Sequence, residues 1–365
     1  MPVERRELRR GRMTMTTKRF AVLPGDGIGV DVTREAVKVL NAAAEIEGVA
    51  VDITELDYGA DRFLRTGETL PDEVLESFRT YDAVYMGAFG DPRVPDMRHA
   101  RDILLGTRFK LDLYINLRPV RCLHDRLCPL KKYRASDVDF VVFRENTEGL
   151  YVGIGGIFKK GTPDEVALQE EVNTRKGVER IVRAAFEYAT THDRHRVTMS
   201  DKSNALRFGH DLWQRVFAEV AEEHPAIDTE HLYIDALTMQ MVKDPSRFDV
   251  IVTCNMFGDI VTDLGAQLQG GLGMAASGNL HPGRTSMFEP VHGSAPKYAG
   301  TDKANPFAAI LTAGMMLEHV GLPDAAAQIE RAVKECLDAA ECTADMDGRL
   351  GTAATGDAVT RRLGV

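Results

Sequence analysis

The feature that most restricts the fold is a pattern repeated along the chain: a short apolar run, a polar break, then helical spacing. "RFAVLPGDGIGVDVTREAVKVLNAAA" (19–44) passes from a strand through a glycine turn into a helix with Val32, Ala36, Val39 and Leu40 on one face. Apolar runs recur at "DAVYMGA", "DFVVFRE", "HRVTMSD", "HLYIDAL" and "DVIVTCN", each ending in polar residues. Strands alternating with helices predict an α/β protein on a mixed, largely parallel sheet, with its site gathered beyond the strand ends. "YVGIGGIFKKGTPDEVALQEEVNTRKG" (151–177) breaks the pattern: it is glycine-rich and then alternates at Val166, Leu168 and Val172, which predicts an arm or hairpin leaving the body.

Composition narrows the function. The 365 residues are 44% hydrophobic, ample for a large core. Apolar runs stop after about five residues, far short of the ~20 that a membrane span needs. The formal net charge of −10 disfavours nucleic acid and points to small-molecule chemistry with positive charge concentrated locally. Five cysteines form no CxxC pair, which fits reduced thiols in a cytoplasmic protein. Residues 1–17, rich in arginine and without an apolar core, read as a disordered basic extension.

Several charged groups follow predicted strands. Asp259 and Asp263, in "NMFGDIVTDLG", stand four apart near the start of a helix whose apolar stripe is Phe257, Ile260, Val261, Leu264 and Leu268. Like charges on one helical face repel unless a cation joins them, although helix-dipole pairing alone would account for Asp259. With Asp235 after "HLYI", three oxygen ligands suit Mg²⁺ or Mn²⁺. Arg108, Arg118 and Arg144 can clamp the carboxylates of a small acid. Lys202 in "SDKSNAL" and Tyr151 are candidates for proton transfer. "EPVHGSAPKYAG" (289–300) reads as a loop whose free N–H groups could meet an anion.

"LPGDGIG", "NLRP", "RENTEGLY", "DKSNAL", "NMFGDIVTDLG" and "FEPVHGSAP…ANP", in this order from residue 23 to 306, resemble the metal-dependent β-decarboxylating dehydrogenases, the isocitrate/isopropylmalate dehydrogenase family. "GDGIG" alone departs from the GxGxxG fingerprint, since Val30 stands where its last glycine belongs. The resemblance implies the isopropylmalate dehydrogenase-like two-domain fold on one shared sheet. It assigns 18–113 with 270–365 to cofactor binding, and 114–269 to substrate, metal and dimerisation. It further implies a homodimer or higher homo-oligomer whose sites are shared between subunits, with Asp235 reaching the metal of Asp259 and Asp263 from the partner. Lys202 would then serve oxidation and Tyr151 the later protonation of the enol carbon, with Arg108, Arg118 and Arg144 on the substrate carboxylates. The cofactor, NAD or NADP, would meet Ile28, Asn116, Glu289, His292, Gly293, Ser294, Ala295, Lys297, Tyr298 and Asn305.

Substrate and cofactor choice rest on finer marks. Leu104 and Leu105 in "DILLGTRF" would desolvate a third carboxylate without partnering it, which favours 3-isopropylmalate over isocitrate or homoisocitrate. Tartrate/D-malate relatives also carry leucines here, and Arg101 replaces the glutamate of many isopropylmalate enzymes. A regulatory nucleotide-binding subunit is the non-enzymatic alternative; the full set of Lys202, Tyr151 and three aspartates argues against it. Lys297 and Tyr298 resemble the pair that NADP-dependent relatives offer to the 2′-phosphate, which tilts the expectation slightly toward NADP. Ala344 in "CTADMDGRLG" lacks the further tyrosine of that pattern, and isopropylmalate relatives generally use NAD.

Overall fold

A computed structural model describes residues 17–364. The first segment contains β1 (Thr17–Gly25), α1 (Ile28–Ile46), β2 (Ala50–Glu55), α2 (Ala60–Thr66), α3 (Asp72–Ser77), β3 (Ala83–Ala88) and α4 (Arg98–Lys110). The middle holds β4 (Ile115–Arg121), β5 (Asp139–Glu145), β6 (Gly155–Phe158), β7 (Val166–Gln169), α5 (Arg175–Thr191), β8 (Arg196–Asp201) and α6 (Gly209–Glu222). It continues through β9 (Asp228–Tyr233), α7 (Ile234–Lys243), β10 (Val250–Thr253) and α8 (Asn255–Leu268). The last segment adds β11 (Ala276–Leu280), β12 (Ser286–Pro290), α9 (Phe307–His319), α10 (Pro323–Asp338) and α11 (Thr352–Leu363). The basic extension lies outside the described residues except for Thr17, which opens β1.

Ten strands form one sheet in the order β2-β1-β3-β12-β11-β4-β5-β10-β8-β9. Neighbours pair in parallel except β12–β11, β11–β4 and β4–β5, so the sheet is mixed and largely parallel. These reversals make the parallel strands of one half run opposite to those of the other. Of the expected site residues, Asn116 and Arg118 lie on β4 and Glu289 on β12, whereas Tyr151 follows β5 and Asp259 follows β10. Helices cover both faces, as a parallel sheet requires. One buried cluster packs α1, α9, α10 and α11 on the sheet; a second joins α5 and α6 to β5, β8 and β10.

The glycine turn serves close packing. Gly25 and Gly27 have φ of 79° and 56°, and a Cβ there would lie 2.2 Å from the Ala88 carbonyl oxygen and 2.1 Å from that of Ser294. Ile28 N–H, the first of α1, donates to Ser294 O at 2.8 Å, so this helix start is engaged by the protein itself. Asp26 accepts from the N–H groups of Ala60 (2.6 Å) and Gly90 (2.8 Å) and pairs with buried His99 (2.9 Å). The turn thereby ties β1 to α2, α4 and the 289–300 loop.

β6 and β7 form a separate antiparallel hairpin whose residues are exposed on both faces. The segment after it turns helical at Arg175, with Thr174 capping Gly177 N–H at 3.0 Å. Ile260 departs from the buried stripe expected of α8: it is 53% exposed, and Met239 and Val242 of α7 are exposed as well.

Candidate active site

On β4, Asn116 and Arg118 are two residues apart and share a face. Arg118 donates to Asn116 Oδ1 (2.7 Å), Thr262 Oγ1 (2.6 Å) and Asp259 Oδ1 (3.5 Å). Arg144, near the end of β5, donates to Asn255 O (2.8 Å), Asn255 Oδ1 (2.8 Å) and Asp259 Oδ1 (2.6 Å). The Tyr151 hydroxyl donates to Asp259 Oδ2 at 2.8 Å. Two guanidiniums and a phenol thus converge on one carboxylate, which stands at the first exposed turn of α8.

The electrostatics follow from burial and these contacts. Burial pushes both arginines below their ordinary range; the Arg118 charge lowers Arg144 further, and the Arg108 charge lowers both. Burial would raise Asp259, but Arg144 and Arg118 outweigh it and hold the carboxyl low. Asp263, one turn further, is raised by burial and then by the Asp259 charge. Tyr151 is raised by burial and by its bond to Asp259. Asp259 is neutralised by the arginines while Asp263 is not, and the two carboxylates one turn apart offer the hard oxygen ligands that a divalent cation takes.

The adjoining cleft, about 170 Å³, is lined by Leu104, Arg108, Arg118, Ser277, Glu289 and His292, among others. Arg108 donates to Glu289 Oε1 at 2.8 Å, and its own Nε is buried without a partner. His292 Nε2 is likewise buried and unpartnered, and burial lowers the ring's pKa. Both atoms lack a partner within the chain, one that a polar ligand or water in the cleft could supply. A larger cavity, about 520 Å³, is lined mainly by α9, α10 and the strands β4 and β5. It contains none of the expected site residues, and its arginines are already paired, Arg121 with Glu330 (2.8 Å) and Arg194 with Asp139 (2.7 Å).

The remaining expected residues are spread more widely. Lys202 and Asp235 pair with each other beside the edge strand β9, and Asp235 is held low by that bond. Among the described residues, Asp235, Asp259 and Asp263 do not gather at metal-ligand distance within one chain. Asn116 has both amide atoms engaged, by Arg118 and by Asn279 (3.0 Å). Ile28 and Ser294 are buried against one another, while Gly293, Lys297 and Tyr298 are exposed and Ala295 half-buried. The N–H groups of Lys297's neighbours Tyr298 and Ala299 close a 3₁₀ turn, so only part of the 289–300 loop is open to a guest. Leu105 is half-buried on α4 and does not line the cleft. Asn305 donates to Asp345 at 3.0 Å.

Asn279 escaped sequence reasoning, although it joins the two halves: it accepts from Asn116 and Asn146 (2.9 Å) and donates to Glu289 (2.8 Å). Its importance depends on the pairing of β11 with β4, for which the sequence carries no local mark. Asn255 and Thr262, within the quoted "NMFGDIVTDLG", were open to recognition as arginine partners.

The profile of the isocitrate/isopropylmalate dehydrogenase family matches residues 19–359. The chain belongs to that family. It is 49% identical to the 3-isopropylmalate dehydrogenase of Thermobifida fusca over 353 residues, 96% of this chain and 99% of that protein. It is 50% identical to that of Frankia casuarinae over 321 residues, 87% and 92% of the two chains. The crystal structure of isocitrate dehydrogenase from Methylococcus capsulatus superposes with a TM-score of 0.86 at 40% identity, covering 95% of this chain and 99% of that one. No helix among the described residues is long and apolar enough to cross a membrane.

Proposed function

We propose that the chain oxidatively decarboxylates 3-isopropylmalate to 4-methyl-2-oxopentanoate, a step of leucine biosynthesis, in the cytoplasm, using NAD or NADP and Mg²⁺ or Mn²⁺. The observation that carries the choice of substrate is Leu104 in the cleft beside Arg108 and Arg118. The arginines can hold the malate carboxylates, while an apolar wall stands where a third carboxylate would need a partner. When bound, the metal supplies Lewis acidity at the α-hydroxyl and the nicotinamide accepts the hydride. Asp259 and Asp263 would hold the metal with Asp235 of a second copy. Lys202, which pairs with Asp235, would come with it from the second copy and lead the hydroxyl proton to a base; Tyr151, hydrogen-bonded to Asp259, would return a proton to the enol carbon. His292, Glu289 and the open part of the 293–295 turn would line the cofactor, with Asn305 toward the adenine.

A homodimer is supported by what one chain leaves open. Lys202 and Asp235 stand apart from the Asp259 cluster, at the sheet edge, and apolar Ile157, Phe158, Leu168, Met239 and Ile260 are all more than half exposed. Two domains, 18–113 with 270–365 and 114–269, are supported by the strand order, in which each set supplies five adjacent strands.

The test compares kcat/KM for 3-isopropylmalate, D-malate and isocitrate with Mg²⁺. Burying about three carbons at ~0.8 kcal/mol each favours 3-isopropylmalate over D-malate by roughly 10–100-fold. A preference for isocitrate would overturn the argument from Leu104, and a preference for D-malate would place the chain with the tartrate/D-malate enzymes.

A further inference from the structure

The turn that carries Lys202 is anchored by a histidine. The main-chain N–H of Lys202 donates to His210 Nδ1 at 2.7 Å, and the His210 ring is fully buried. A ring nitrogen that accepts carries no proton, so neutral His210 holds its proton on Nε2. Nε2 lies 3.2 Å from Glu171 Oε1 and donates to it. That bond is the main reason the Glu171 carboxyl lies below its usual range.

Cys254 Sγ lies near both, so that Glu171, His210 and Cys254 have the ligand types of a zinc site. The hydrogen bonds decide against it. A protonated Nε2 has no lone pair for a metal, which leaves Glu171 and Cys254, short of the four ligands that a structural zinc takes. What remains is an oriented relay from a carboxylate through an imidazole to a main-chain amide.

The carboxylate end is fixed at the base of the hairpin. Val172, next to Glu171, exchanges main-chain bonds with Gly149 (2.7 and 3.3 Å), two residues before Tyr151. Asn173 accepts from Trp213 Nε1 on α6 at 2.9 Å. One short segment thus braces both the Tyr151 approach and the Lys202 turn.

We propose that His210, oriented by Glu171, is a positioning residue for Lys202, joining the lysine's main chain to the base of the arm. The inference rests on the reading of Lys202 as the proton-transfer group. If Lys202 acts in the step that releases hydride, displacing its turn slows that step while leaving the carboxylate-binding arginines in place.

The experiment uses the purified homo-oligomer with Mg²⁺, NAD and 3-isopropylmalate, protonated or deuterated at the hydride-donating carbon. His210→Ala is expected to lower kcat at least tenfold, to leave KM within about threefold and to raise the primary isotope effect on kcat. His210→Asn, whose Oδ1 can accept from Lys202 N–H in place of Nδ1, is expected to recover kcat to within about threefold of wild type. Equal impairment of the two variants, or a wild-type kcat in His210→Ala, would overturn the proposal. Should His210→Ala fail to fold, ¹⁵N shifts of the His210 ring in the wild-type protein decide: an Nε2–H tautomer is expected, and an Nδ1–H tautomer overturns the relay. Lys202→Met separates the two readings. An active Lys202→Met refutes the role of the lysine itself, whereas an inactive one beside a fully active His210→Ala refutes only the positioning.

Discussion

Asp263→Asn should make the metal-free protein slightly more stable and remove most of its response to metal. Asp263 is held above its ordinary range by burial and by the Asp259 charge one turn away, so its ionised form is disfavoured in the folded, metal-free state. A raised folded-state pKa contributes stability below the unfolded value, and that contribution is lost as pH rises through the folded pKa. At neutral pH the ionised group is therefore a cost. A like-charge i,i+4 pair costs about 0.2–0.5 kcal/mol, and the exposure of Asp263 places the effect at the lower end. Metal binding acts in the opposite direction: at 100 times its Kd, a ligand that binds only the folded state adds about 2.7 kcal/mol. For a chain of this length, 1 kcal/mol moves Tm by roughly 1–2 °C. Scanning fluorimetry with and without Mg²⁺ should show a metal-free Tm equal to wild type or up to about 1 °C higher, and loss of most of a ~3–5 °C metal-induced rise. The small advantage should vanish as pH falls through the raised pKa of Asp263. A metal-free Tm several degrees lower, or an undiminished response to Mg²⁺, would refute the reading of Asp263 as a strained ligand.

Lys202→Met and Tyr151→Phe should fail differently: the first slows hydride transfer, the second slows decarboxylation and releases the intermediate keto acid, detectable by rapid quench; wild-type turnover in either variant removes its assigned role. Arg144→Lys cannot reproduce the fork on Asn255 and Asp259, and should lower kcat/KM at least tenfold and stability by about 1–3 kcal/mol, read by steady-state kinetics and urea unfolding. Lys297→Asp should raise the NAD/NADP ratio of kcat/KM at least tenfold if the exposed lysine meets a 2′-phosphate; an unchanged ratio makes it an ordinary surface lysine.

Periodicity and punctuation made the elements legible. The strand of "DFVVFRE", the glycine turn of "GDGIG" and the helix bearing Asp259 and Asp263 all depend on neighbours in sequence, and all appear in the structure. Residue type likewise identified the arginines and carboxylates as candidates, because buried charge needs a partner wherever it lies. Local signals could not show that β11 and β4 reverse the sheet between its halves, that Asn279 bridges them, or that Ile260 is exposed on a stripe whose other members are covered. Pairing between strands about 160 residues apart is set by the packing of the whole core, and leaves no mark in either segment. The same holds for the separation of Lys202 and Asp235 from the Asp259 cluster: the sequence determined which groups were available, and tertiary packing decided which of them meet within one chain.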